Sequence, residues 1–205
     1  MQFKLSLSKA LSLVLFSSAV HIASASPTPK SSHSVTGVIL VSDAHSQIAQ
    51  GFVSQTLTST GVFQVAQTRS GAAEVTLTST TGFINIGVSG EPFPAIGAVV
   101  GTAGDNFGPG NGAFAFLSPA DESATDDTTV NPFGQPSETQ IWQFNPSNSA
   151  LTASWFDGTD HIPLTIFRNE NIEDFADLQL TGDLSAFEST SGQGAQAVIF
   201  TFVTD

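Results

Sequence analysis

Cysteine and tyrosine are both absent from the 205-residue chain, and only five lysines and arginines stand against 18 acidic residues. Without cysteine there is no thiol catalysis, no thiolate zinc site and no disulfide scaffold, although a secreted chain of this size does not need disulfides to fold. The shortage of positive charge leaves a formal net charge of −13. Such a surface repels phosphate backbones and anionic membranes, so nucleic acid is excluded as a partner. Long apolar runs are missing beyond the N-terminus, which argues against a membrane span and predicts a soluble mature protein. The glycosylation signal is missing too: Asn145-Pro146-Ser147 carries the forbidden proline, and no other Asn stands two residues before Ser or Thr.

What is present begins with an address. Lys4 and Lys9 precede an apolar centre from Ala10 to Val20, and Ala23-Ser24-Ala25 offers the small residues of a cleavage site. Residues 1–25 therefore read as a secretory signal peptide, and the protein is expected to be secreted and extracellular. Losing Lys4 and Lys9 with that segment, and no acid, takes the charge from −13 to −15. Residues 26–34 read as a flexible leader.

From Val35 onward the sequence alternates between apolar and polar residues and breaks often at Gly, Ser and Asn. VTGVILV, GFVSQTL, GVFQVAQ, AEVTLTS and GFINIGV are rich in β-branched and aromatic residues, which suit a pleated, half-buried surface. Connections too short for helical crossovers predict antiparallel meanders. The expected architecture is a single all-β domain over 35–205, an antiparallel sandwich with a barrel as the alternative, and at most one or two short helical turns. The sandwich is preferred because the Gly- and Pro-rich middle could carry a sheet-to-sheet crossing. Asp183 is the expected cap of one helical turn, with Leu184 and Phe187 pointing inward. Residues 118–138 lack periodicity and collect acids, Pro and Ser, so they are expected to form an exposed acidic loop.

Candidate chemistry concentrates in WQFNPSNSALTASWFDGTDH, Trp142 to His161. NPSNS and Asp157-Gly158 are turn signals, so the span predicts a three-stranded meander. With Phe144 opposite Leu151, residues Trp142, Phe144, Leu151, Ala153 and Trp155 share one face. Trp142 and Trp155 could stack on a sugar, with Asp157, Asp160 and His161 as polar contacts. The plainer expectation is that the tryptophans belong to the core and the aspartates to turns.

Other sites are weaker. The loop Gly101–Gly112 lacks the Lys-Ser/Thr ending of a phosphate loop and the helix of a dinucleotide site. Asp105, Asn106 and Asn111 carry oxygens suited to calcium, but their spacing matches no EF-hand. No Gly-x-Ser-x-Gly elbow accompanies His45 or His161, and no His-Glu-x-x-His motif is present. No catalytic, metal or cofactor site is expected.

Phe93–Leu117, Glu138–Thr159 and Leu178–Gly192, and more weakly residues 36–63, resemble a group of small secreted β-rich proteins of mushroom-forming and wood-decay fungi. The resemblance implies secretion and a β-rich fold and brings no active site. Where such proteins often carry Tyr, this chain has Phe, as in GAFAFL and IWQF, so a function resting on a phenolic hydroxyl does not carry over. The functional expectation is a non-catalytic extracellular protein that binds cell-wall polysaccharide or an extracellular protein. The alternatives are a polysaccharide hydrolase using Glu138 with Asp157 or Asp160, and a structural or host-interaction protein without a small ligand.

Overall fold

The computed structural model describes residues 34–79, 81–122, 131–169 and 177–204. The expected signal peptide, nearly all of the leader and the centre of the acidic stretch lie outside them. The described residues fall in one compact unit.

Strands dominate. The first half holds β1 (Val35–Asp43), β2 (Ala49–Val53), β3 (Val65–Ala66), β4 (Val75–Leu77), β5 (Phe83–Ile84), β6 (Ile86–Val88) and β7 (Ala95–Val100). The second half holds β8 (Phe114–Ala120), β9 (Ser137–Glu138), β10 (Trp142–Asn145), β11 (Ala150–Phe156), β12 (His161–Asn169), β13 (Leu178–Thr181) and β14 (Ala195–Thr204). Period-two alternation explains most of them. In β11, Leu151, Ala153 and Trp155 are buried while Thr152 is exposed. Among the described residues the helical content is a 3-10 turn at Arg69–Gly71 and one α-helix, α1 (Leu184–Ser191).

The strands close into a barrel. Following the hydrogen-bonded ladders, β1, β4, β6, β7, β8, β13, β12, β11 and β14 lead back to β1, a ring of nine. The preferred sandwich is thus corrected to its barrel alternative. The physical reason is the pairing of the two ends of the domain: β1 and β14 run antiparallel from Gly37↔Thr204 to Asp43↔Val198 and leave no free edge at which two sheets could part. The Gly-rich middle makes no crossing between sheets, because it links β7 to β8, which pair directly from Ala95↔Ala120 to Val100↔Ala115.

The acidic loop is shorter than expected at both ends. Ser118, Pro119 and Ala120 continue β8 and are buried, with the Ser118 hydroxyl donating to the Gly61 carbonyl at 2.8 Å. Ser137 and Glu138 form a buried strand against Ala98 and Val99. Pairing overrides composition at both places.

Two strands lie across the ring. β5 directly precedes β6 and pairs with β10, and β10 pairs with β11. Since β6 and β11 stand on opposite sides of the ring, this ladder spans one end of the barrel. The same end carries the β7–β8 loop and the β11–β12 turn.

Candidate functional site

The meander from Trp142 to His161 forms in the expected register, with Phe144 opposite Leu151 and Trp142 opposite Ala153. Its apolar face turns into the barrel. Trp142 is fully buried, donates its indole N–H to the Ile96 carbonyl at 2.9 Å, and lies near-parallel to Phe200 with ring centroids 6.0 Å apart. Trp155 is 3 % exposed and packs at 5.1 Å against Phe107 of the Gly-rich loop. The pair therefore forms no open stacking platform. Burying about 200 Å² of each ring at roughly 25 cal/mol per Å² favours the interior by up to about 5 kcal/mol apiece.

The polar residues of the stretch make the turn. Asp157 accepts through Oδ1 from the Thr159 and Asp160 amides at 2.9 and 2.8 Å, and its own N–H donates to the Asp160 carbonyl. The Asp160 and Thr159 amide bonds hold the Asp157 carboxyl below its ordinary value, so it stays ionised. Gly158 takes φ +89, the left-handed conformation this turn requires. His161 is exposed and stacks on Phe83, with centroids 3.9 Å apart and planes 15° apart, while Phe156 tilts against it at 5.1 Å.

These elements border a hollow of 260 Å³ lined by Asp105, Asn106, Pro136, Trp155, Phe156, Asp157 and Ile162. Thus Trp155 and Asp157 meet at one site, and Trp142 does not take part. Asp105 and Asn106 join them from the β7–β8 loop, where the sequence points only to calcium-type oxygens at a spacing that matches no EF-hand. They face the same hollow as Asp157 from a loop distant along the chain, with no local signal. Glu138 is 3 % exposed, accepts from the Phe156 amide at 3.0 Å through Oε2, and does not line the hollow. Of the acids considered for hydrolysis, Asp157 lines the hollow, while Glu138 is buried and holds the Phe156 amide.

The Gly-rich loop is locked against α1. Asp183 caps the helix by accepting from the Ala186 amide at 3.0 Å and reaches back with its other oxygen to the Gly110 amide at 2.9 Å. Phe187 is buried as expected, while Leu184 is only half-buried. Asn106 and Asn111 spend their side-chain oxygens on the amides of Gly108 and Ala113, as turn residues do. Among the described residues, no group of three or more His, Asp or Glu is placed to hold a metal. None of the described helices is long and apolar enough to cross a membrane.

No protein-family model, curated protein or solved structure matches the chain.

Proposed function

We propose that this is a secreted, acidic, non-catalytic extracellular protein that binds an uncharged glycan of a cell wall in the hollow beside the β11–β12 turn. The observation that carries the reading is the convergence there of a half-exposed aromatic ring, Phe156, with Asp157, Asp105 and Asn106. A sugar offers C–H faces to a ring and hydroxyl donors to carboxylates and amides. Asp157 suits the accepting role because its turn bonds keep it ionised and fixed. The acidic surface would repel polyanionic polymers, so neutral chains are the favoured class.

The test is calorimetric titration of the purified protein with soluble chitin oligomers and β-glucans at low and high salt. Saturable binding that persists at high salt, and weakens in Asn106→Ala without loss of fold, supports the reading. Indifference to every neutral glycan, with folded protein, overturns it.

A further inference from the structure

A second hollow, of 410 Å³, is bordered by Gln135, the chain neighbour of Pro136 in the first. It is lined by Val100, Gly101, Thr102, Phe116, Phe133 and Gln135. None of these side chains ionises. The rings of Phe116 and Phe133 lie parallel, with centroids 4.9 Å apart and planes 5° apart, and both are half-buried, so each keeps surface open. Surface phenylalanines ordinarily fold down onto the core, and this stacked pair instead walls a hollow.

The pair is also held in place. Buried Asn131 donates to the Gln135 carbonyl at 2.7 Å and to the Ser137 hydroxyl at 3.1 Å, and accepts from the Phe133 amide at 3.0 Å. One side chain thereby fixes the turn that carries Phe133, while Phe114 braces Phe116 edge-on at 5.2 Å. A ring fixed beforehand loses little freedom when a ligand stacks on it.

The two hollows are neighbours. Pro136 lines the first, Gln135 lines the second, and the Val100 amide ties the strip to β7 through the Pro136 carbonyl at 2.9 Å. Ligand pockets usually enclose about 300–1,000 Å³; one hollow falls below that range and the other near its lower end.

We infer that the two hollows are consecutive subsites for one extended, uncharged polysaccharide segment, with Phe116 and Phe133 as the aromatic subsite. The inference rests on the glycan reading above and adds the ligand's length and a second contact surface. The chemistry fits because the second hollow offers rings for sugar faces and only neutral hydrogen-bonding groups, Thr102 and Gln135, for hydroxyls. The carboxylates are confined to the first hollow.

The test is a calorimetric length series, from disaccharide to long oligomer, of chitin and β-glucan fragments against the wild-type protein, Phe133→Ala and Phe133→Leu. Wild-type affinity should rise with length and then level off. Phe133→Ala should weaken the long oligomers roughly tenfold or more and leave the shortest binders unchanged. Phe133→Leu should behave like Phe133→Ala, since it keeps apolar bulk and loses the ring. Thermal melts confirm that each variant is folded. Length-independent binding, equal weakening of short and long oligomers, or full long-oligomer affinity in Phe133→Leu overturns the second subsite while the glycan reading stands. No binding by any oligomer overturns both.

Discussion

The indole N–H of Trp142 bonds the main-chain carbonyl of Ile96, joining β10 to β7 although the two strands share no ladder. The bond ties the strand that spans the barrel end to the barrel wall. A tryptophan suits this position because the indole fills buried volume and still brings a donor to the carbonyl.

Trp142→Phe should be destabilising by roughly 1–3 kcal/mol, because it strips the donor from a buried carbonyl and leaves unfilled volume. Denaturant unfolding measures it. In the wild-type protein both tryptophans should emit at short wavelength and resist acrylamide. In Trp142→Phe the remaining Trp155 should report on the adjoining hollow, shifting its emission when a glycan fills it.

Asp183 joins α1 to the Gly-rich loop with its two carboxylate oxygens, so Asp183→Ala should loosen both. The expected result is a Tm lower by a few degrees and faster amide exchange at Gly110 and Ala186. The Gly110 and Ala186 amide bonds hold the Asp183 carboxyl below its ordinary value of 3.8. Its contribution is therefore complete above that value and is lost as pH falls through the lower folded one. Acid melts of the variant and the wild-type protein should converge at low pH.

Asp177 behaves with the opposite sign. It is 8 % exposed, its Oδ1 has no hydrogen-bond partner among the described residues, and burial raises its carboxyl above 3.8. The fold prefers the protonated form, so stability falls as pH rises from 3.8 toward the folded value, and the cost is fully present at neutral pH. Asp177→Asn should raise Tm near pH 7 and change it little near pH 3. A pH series of thermal melts decides this, and an equal gain at both pH values would count against burial as the cause.

Gly182→Ala should be severe. A methyl group there would collide with the Phe107 carbonyl oxygen, and main chain cannot yield as a flexible side chain does. The loop would have to lift, carrying Phe107 away from Trp155. Loss of soluble protein, or a Tm drop much larger than that of Asp183→Ala, is the expected outcome. Gly90→Ala serves as the spatial control, because nothing lies within 4 Å of its would-be Cβ, although its φ of +87 adds its own backbone strain.

The sequence by itself determined what depends on neighbours along the chain. Alternation placed Leu151, Ala153 and Trp155 on one face, Asn145 to Ser149 and Asp157-Gly158 set the turns and hence the register of Phe144 against Leu151, and Asp183 announced its helix. These are short-range effects of strand period, turn chemistry and capping. Tertiary structure alone decided whether the strands closed, because closure rests on β1 meeting β14 from the far end of the domain. It also decided the fate of the meander's apolar face, which became core once Phe107, Phe200 and Ile96 covered it. The hollows belong to the same level. Asp105 and Asp157, or Phe116 and Phe133, come together only when segments separated along the chain are carried to one end of the barrel, and no local pattern encodes that meeting.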